Sequence, residues 1–370
     1  MDPHSKKLVV DARMINASGI GTVLQNLLPY LKPLFKLTLL GNPEELKKYE
    51  WAADLKVIRF NKPIYSVGEQ LALPLLVPHC DFFLSPHFNV PMLPVKAKKR
   101  VVLIHDLFHL AANNISSVHK LYAKALLQSA INRSDSIVTI SEFSLSEMRR
   151  LLKTGSKTIH KISLGVDKSV FYKRQDSSLE AKVIQKYNIP SNYILFVGNV
   201  KPHKNLRNLI IAFQKIDFSR FTDLKLVIVG KKEGFITGDI TLLHLIKELG
   251  LQDRVLFTGF VDSEHLPLIY NLATLFVFPS LYEGFGLPPL EAMATGCPTV
   301  VSAAASIPEV CQDASLYFDG TNPEDIASTI NLALQDNDLR ETLILKGHQL
   351  VDQYTWKNSA MALQNIILHQ

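Results

Sequence analysis

The sequence is poor in the features that mark secreted, membrane-spanning and zinc-stabilised proteins. Its three cysteines, Cys80, Cys297 and Cys311, are odd in number and form no Cys-x-x-Cys pair. A disulfide framework is therefore not expected, and a reducing compartment is. No apolar run reaches the roughly 18 residues that a membrane span needs. The apolar stretch Leu8–Val10 near the N-terminus is too short for the core of a secretory leader. A contact with one membrane face stays open, because it needs no span. The net charge of +6 and pI near 9.0 are mildly basic. No arginine-rich arm and no zinc-ligand spacing accompany them, so nucleic acid is not an expected partner. There is no low-complexity tract and no short internal repeat.

What is present describes an ordinary globular chain, 47% hydrophobic and 20% charged. At 370 residues it is long for one core, and two domains are expected. Short runs rich in Val, Ile, Leu and Phe recur with amphipathic stretches between many of them. In the first half they are Leu8–Val10, Leu37–Leu40, Val57–Phe60, Phe82–Leu84, Val101–Ile104, Ile137–Ile140 and Lys161–Leu164. In the second half they are Tyr193–Val197, Leu224–Val229, Val255–Phe257, Leu275–Phe278 and Thr299–Val301. Uninterrupted apolar runs of this length predict parallel strands covered on both faces. Two successive sets predict an α/β protein of two doubly wound domains. The boundaries read as 1–170 for the first domain, 171–190 for a polar linker, 191–352 for the second domain, and 353–370 for a last helix able to pack on either.

Four constellations fall where such strands end. The strongest is Ser280-Leu-Tyr-Glu283-Gly-Phe285-Gly286-Leu287-Pro-Pro-Leu-Glu291. A strand, a glycine turn and a helix opening on Pro-Pro follow one another. That order converges backbone N–H groups and a positive helix end on one point, which suits a diphosphate. The flanking carboxylates suit sugar hydroxyls. Helix N-terminal charge alone would explain Glu291 tolerably, but Glu283 and the glycines poorly. A second constellation, Gly198-Asn199-Val-Lys201-Pro-His203-Lys204-Asn205, puts a lysine before a helix of pattern Leu206, Leu209, Ile210, Phe213. A cation there would stabilise the charge left on a departing diphosphate. In a third, Gly19 and Gly21 follow the strand ending near Asp11 and would let a loop approach a ligand. The third glycine of a dinucleotide fingerprint is missing, and a plain tight turn explains the pair equally well. In the fourth, His105 and Asp106 close the strand Val101–Ile104. There His105 would bond a sugar hydroxyl, shuttle a proton, or serve as a structural histidine. His105 and His109 have an i,i+4 spacing, but a metal would need a helix there and more ligands. No metal site is expected.

With these residues in this order, the chain resembles the retaining glycosyltransferases of the GT-B fold, family 4. The resemblance spans nearly the whole chain and is strongest from Gly198 to Ser302. The family's Glu-x7-Glu motif matches Glu283 to Glu291. Thr258-Gly-Phe-Val261 with Leu266 and Tyr270 is similar to the segment near the nucleotide base. Ser141-Glu-Phe-Ser and Gly165-Val-Asp167 are similar to interdomain landmarks. The resemblance implies two Rossmann-like domains facing across a cleft, the first for the acceptor and the second for a nucleotide sugar. It implies that Glu291 meets the ribose and Glu283 the transferred sugar. Lys204 would lie on the diphosphate, with Gly198 and Asn199 in the same loop. The amides of Phe285, Gly286 and Leu287 would meet phosphate or sugar. The loop at Gly19 and Gly21 would close over the phosphates, and His105 would touch the sugar near its reacting carbon. Many family members carry an arginine where Asn199 or His203 stands. Lys204 should then carry more of the diphosphate's charge, unless Lys201 or a protonated His203 shares it.

The implied activity is retaining, metal-independent transfer of a hexose to an acceptor hydroxyl, with no cofactor beyond the nucleotide-sugar substrate. Metal independence is taken with an absent Asp-x-Asp motif. GDP-mannose leads as donor, from similarity to members that build bacterial surface polysaccharide or lipopolysaccharide, and UDP-sugars follow. The acceptor is a saccharide or lipid-linked saccharide. The setting is the cytoplasm, with the membrane's inner face and the basic run Lys96–Arg100 left open as a contact. A sugar-nucleotide epimerase and a non-catalytic sugar-nucleotide-binding protein remain as alternatives.

Overall fold

A computed structural model describes residues 6–112, 116–230 and 240–369. The chain forms two compact units, Met1–Gly165 with Trp356–Gln370, and Val166–Thr355.

In the first unit seven strands make one parallel sheet: β1 (Lys7–Asp11), β2 (Lys36–Gly41), β3 (Lys56–Arg59), β4 (Cys80–Ser85), β5 (Ala97–Ile104), β6 (Ser136–Thr139) and β7 (Ile159–Lys161). Its helices are α1 (Ser18–Leu31), α2 (Pro43–Leu46), α3 (Val67–Leu76), α4 (Phe108–Ala111), α5 (Ser117–Arg133) and α6 (Glu142–Leu151). The strand order is β3-β2-β1-β4-β5-β6-β7. The chain winds outward from β1 in one direction, returns through α3, and winds outward from β4 in the other. Right-handed crossovers then put α1 and α2 on one sheet face and α3, α5 and α6 on the opposite one.

The second unit repeats the plan. It begins with α7 (Ser177–Tyr187), and its strands are β8 (Tyr193–Val197), β9 (Lys225–Val229), β10 (Val255–Gly259), β11 (Leu275–Phe278), β12 (Thr299–Ser302) and β13 (Leu316–Phe318). They lie parallel in the order β10-β9-β8-β11-β12-β13. Between and after them run α8 (Leu206–Gln214), α9 (Ile240–Glu248), α10 (Leu266–Leu272), α11 (Leu287–Ala294), α12 (Ile307–Cys311), α13 (Pro323–Gln335) and α14 (Asn337–Val351). Continuous burial on both faces is what the unbroken apolar strands require. Phe196, Ile228 and Val277 are fully buried, and Leu209, Ile210 and Phe213 of α8 pack onto the same core. In this topology the winding reverses between β8 and β11. Open α/β sheets bind ligands at the carboxyl ends of the strands at such a point.

The sequence reading differs from the structure at several places. The division falls at Gly165, and most of the expected linker is helix α7, which buries Val183 and Tyr187. Strand β7 is Ile159–Lys161 and overlaps the expected run Lys161–Leu164 at Lys161 alone, and β13 had no counterpart among the expected strands. The last helix, α15 (Trp356–Leu368), belongs to the first unit, where it packs on α1 and Ser359 donates to the carbonyl of Ser163. No helix among the described residues is long and apolar enough to cross a membrane.

Candidate active site

The loops after β8 and β11 are held together before any ligand is considered. After Gly198 the backbone makes a short turn over Pro202–Lys204 and then reaches Asn205 in a left-handed conformation, φ +59°. Asparagine tolerates that geometry better than most residues. The buried Asn205 amide donates to the carbonyls of Pro279 at 3.0 Å and Gly320 at 2.6 Å. One side chain thus ties together the loops after β8, β11 and β13. The Leu281 N–H adds a bond to the His203 carbonyl at 2.8 Å.

This clamp brings Lys204 to Glu283. Nζ lies 2.5 Å from Oε1, with the two side chains 16% and 13% exposed. The ammonium also lies 5.4 Å from the centre of the Phe278 ring. The Glu283 loop is fixed from the other side by Ser306, whose buried hydroxyl donates to the carbonyls of Glu283 and Phe285 at 3.0 and 2.9 Å. Gly286, at φ +105°, turns the chain into α11. Only glycine takes that backbone without strain. A helix leaves its first N–H groups without intrahelical acceptors. Here Pro288 and Pro289 have no N–H, so the amides of Gly286 and Leu287 are the donors that the start of α11 presents.

One turn into α11, Glu291 accepts a hydrogen bond from Tyr270 Oη at 2.9 Å. Its carboxyl lies deep, although part of the side chain reaches solvent. Burial pushes its pKa from 4.5 up to about 7, and the Tyr270 bond partly opposes that rise. Lys201 is exposed and Asn199 is half-buried in the loop that leads to Lys204.

In the first unit His105 and Asp106 follow β5. The His105 Nε2 lies 2.9 Å from the Pro86 carbonyl. A carbonyl only accepts, so Nε2 carries the proton and the Nδ1 lone pair faces elsewhere. Burial lowers the His105 pKa, which keeps the ring neutral. Asp106 Oδ1 accepts from the Phe108 N–H at 2.9 Å and opens α4. His105 precedes that helix, so the i,i+4 spacing to the exposed His109 is not a helical pair. No group of three His, Cys, Asp or Glu residues among those described could hold a metal ion. The expectation of an absent Asp-x-Asp motif is corrected by Asp336-Asn337-Asp338, where Asp336 caps α14 by accepting from Leu339 N–H at 2.8 Å.

The glycine loop of the first unit differs from expectation. The helix begins at Ser18, so Gly19 and Gly21 both lie in the first turn of α1. They differ in kind. A Cβ on Gly21 would sit 2.5 Å from the Ile15 carbonyl oxygen, whereas one on Gly19 would meet nothing within 4 Å. Packing alone accounts for Gly21.

Several residues escaped the sequence reading. Asn205 and Ser306 carry no motif signal, since their partners are backbone carbonyls far along the chain. A buried ion cluster at the ends of β1 and β4 also went unseen. There Arg13 Nη2 lies 2.5 Å from both Asp11 Oδ2 and Glu69 Oε1, and Asn89 donates to Glu69 at 2.7 Å.

Two doubly wound parallel-sheet units, with a lysine–carboxylate pair and an open helix start at one switch point, define a glycosyltransferase architecture. The chain belongs to the glycosyl transferases group 1 family, whose model matches residues 180–349. O-antigen chain mannosyltransferase B of Escherichia coli is 31% identical over 268 residues, covering 72% of this chain and 69% of that protein. O-antigen chain mannosyltransferase RfbU of Salmonella typhimurium is 26% identical over 281 residues, covering 76% and 71%. Among solved structures, Anabaena HepE in complex with UDP and glucose superposes with a TM-score of 0.78 at 18% identity, covering 97% of this chain and 98% of that one. WaaG, a glycosyltransferase involved in lipopolysaccharide biosynthesis, superposes with a TM-score of 0.75 at 14% identity, covering 98% and 100%. These two show the shared GT-B fold.

Proposed function

We propose that this glycosyltransferase moves mannose from GDP-mannose to a saccharide hydroxyl, with retention of configuration and without a metal ion, in the assembly of a bacterial surface polysaccharide at the cytoplasmic side of the membrane. The names of its mannosyltransferase relatives support the sugar and the pathway class. The observation that carries the reading is the Lys204–Glu283 pair beside the open start of α11, at the point where the second sheet reverses its winding.

The chemistry follows from the residues. The bond from the anomeric carbon to the diphosphate breaks, and negative charge grows on the departing oxygen. Lys204 and the Gly286 and Leu287 amides are donors already in place for that charge, so they need not reorganise as it forms. Lys204 has three N–H donors and can hold the diphosphate while keeping Glu283, whose second oxygen accepts from a sugar hydroxyl. Glu291 accepts from the ribose, with Tyr270 fixing its rotamer. Neutral His105 offers Nδ1 as an acceptor to a hydroxyl of the transferred sugar. Asp106 already uses one oxygen to open α4. In the proposed step the acceptor oxygen bonds to the anomeric carbon on the face from which the diphosphate leaves, and the acceptor's proton passes to the departing phosphate oxygen; the free Oδ2 of Asp106 is the alternative nucleophile for a covalent intermediate.

The test is a donor screen with product analysis. Thermal shifts with GDP-, UDP- and ADP-sugars identify the donor, since only a ligand of the native state raises stability by mass action. GDP-mannose should give the largest shift. Proton NMR of the product should show the donor's anomeric configuration, and EDTA should leave the rate unchanged. A larger shift with a UDP-sugar would overturn the donor assignment, and an inverted product the stereochemical one.

A further inference from the structure

The first sheet has a switch point of its own. Its winding reverses between β1 and β4, and open α/β sheets take ligands at the carboxyl ends of such strands. A pocket opens there. Its lining includes Asp11 and Arg13 at the end of β1, Ile64 after β3, and His87 and Asn89 after β4. One buried carboxylate holds the three loops together. Glu69 of α3 accepts from Arg13 Nη2 at 2.5 Å, from Asn89 Nδ2 at 2.7 and 2.9 Å, and from the Tyr65 N–H at 2.7 Å. None of these residues serves the donor chemistry described above.

Tyr65 is the unusual member of this group. Its backbone stands at φ +67°, a left-handed conformation that a bulky residue adopts only when its surroundings impose it. Glycine or asparagine would sit there more easily. The bond to Glu69 holds that backbone, and the result is a ring carried at the edge of the pocket. The ring is 45% exposed, with its centre 5.9 Å from that of His87 and 6.1 Å from that of Phe88. Tyr65 follows Ile64 in the chain and its ring meets His87, and both of those residues line the pocket.

The polar groups left over suit hydroxyls. Asp11 Oδ2 accepts from Arg13 Nη2 and keeps a second lone pair. The Asn89 amide turns its nitrogen to Glu69, and its side-chain oxygen accepts no bond among the described residues. The Asn89 N–H donates to His87 Nδ1 at 3.4 Å, so the proton of the neutral ring is on Nε2, which is a donor. Burial pushes the His87 pKa down to about 3, which keeps that ring neutral. Arg13 is already committed, with Nε and Nη2 on the two carboxylates and Nη1 on the Lys62 carbonyl at 3.1 Å. Two carboxylates against one guanidinium leave the pocket with an excess of negative charge, which disfavours phosphate. Acceptors, a donor and an exposed aromatic face match a neutral sugar ring, which has hydroxyls on its rim and C–H groups on its faces.

We propose that this pocket holds one pyranose ring of the saccharide acceptor, with Tyr65 stacked on the ring face as a specificity-determining residue, Asp11 and Asn89 accepting from its hydroxyls, and His87 Nε2 donating to one of them. The site reads the neutral sugar end of the acceptor, and the phosphate of a lipid-linked acceptor lies outside it. Arg13 and Glu69 touch no ligand; they position Asp11, Asn89 and Tyr65. The inference rests on the proposed reaction in naming the ring an acceptor's, and binding of the ring is tested without that reaction.

The experiment is saturation-transfer NMR on the full chain without donor, with the methyl glycosides of mannose, glucose, galactose and N-acetylglucosamine as probes. At least one should receive saturation on its ring protons, and inorganic pyrophosphate should not displace it. Tyr65→Gly should weaken that binding by about tenfold or more. It should stay folded in thermal unfolding, because glycine takes φ +67° without strain. Tyr65→Asn, which also tolerates that backbone, should behave in the same way. Tyr65→Phe keeps the stacking face and should bind within about twofold of the wild type. His87→Phe keeps a ring against Phe88 but removes the donor, and should weaken binding by about fivefold. With GDP-mannose as donor, Tyr65→Gly should raise acceptor KM by about tenfold and leave donor KM unchanged. Glycoside binding through Tyr65 with no transfer from GDP-mannose would support the pocket and overturn the reaction alone. No glycoside binding, displacement by pyrophosphate, or undiminished binding by Tyr65→Gly and Tyr65→Asn would overturn the proposal.

Discussion

Lys204 and Glu283 lie seventy-nine residues apart in the chain, yet their charged atoms meet at 2.5 Å between the loops that follow β8 and β11. Neither loop would hold that position alone. Asn205, within the first loop, bonds the carbonyls of Pro279 and Gly320, and Ser306 bonds those of Glu283 and Phe285 in the second. The pair therefore stands ready before a ligand arrives, which is the condition for electrostatic stabilisation without reorganisation.

Lys204→Ala should lower kcat by about two orders of magnitude or more, because the ammonium acts on charge that appears only as the diphosphate leaves. Steady-state kinetics with the identified donor checks this. A loss confined to donor KM would instead make Lys204 a ground-state contact.

Glu291 should make donor binding and stability move in opposite directions with pH. Its native pKa of about 7 stands above the ordinary 4.5. The unfolded carboxyl loses its proton first. The advantage of the protonated native form is thus complete below 4.5 and disappears as pH rises through about 7. At about 1.4 kcal/mol per pKa unit the loss is on the order of 3–4 kcal/mol. Glu291→Gln should therefore match wild-type stability near pH 4 and exceed it at pH 8, as read by thermal unfolding at each pH. It should also raise donor KM several-fold, since only the carboxylate accepts fully from two ribose hydroxyls. In the wild type, donor KM should fall as pH rises through 7. Tyr270→Phe removes a bond that stabilises the carboxylate and should move that transition to higher pH.

The two glycines of α1 should separate. Gly21→Ala forces a Cβ against the Ile15 carbonyl and should destabilise by about 1–3 kcal/mol. Gly19→Ala meets open space and adds helix propensity, so stability should hold or rise by up to about 1 kcal/mol. If the donor's phosphates approach this turn, Gly19→Ala should still reduce kcat/KM. Denaturant titration and kinetics on both variants give the answer.

The parallel strands and the Glu283–Glu291 motif were legible in the sequence because each is local. Unbroken Val, Ile and Leu runs mark buried strands, and the Gly-Phe-Gly-Leu-Pro-Pro turn announces a helix start. Strand β13, only Leu316-Tyr-Phe, was too short to give a period. Helix α7 was masked by its polar opening Asp176-Ser-Ser, which is its cap: Asp176 accepts from the Leu179 N–H. The clamps at Asn205 and Ser306 and the Arg13–Glu69 cluster stayed hidden because they depend on carbonyls and carboxylates that only the fold brings near.

The Arg13 cluster should be structural. Both Arg13 and Glu69 side chains are almost fully buried, at 5% and 0% exposure. Glu69→Ala leaves the guanidinium short of one carboxylate and the Asn89 amide without its acceptor, and should cost about 3–5 kcal/mol. Chemical denaturation checks it; a change under 1 kcal/mol would show that Asp11 alone satisfies Arg13.

The account depends most directly on where a nucleoside diphosphate binds. A crystal structure of the chain with GDP should show the β-phosphate within hydrogen-bonding distance of Lys204 Nζ and of the Gly286 and Leu287 amides, with the ribose on Glu291. A nucleotide bound elsewhere, with Lys204 still held only by Glu283, would contradict it.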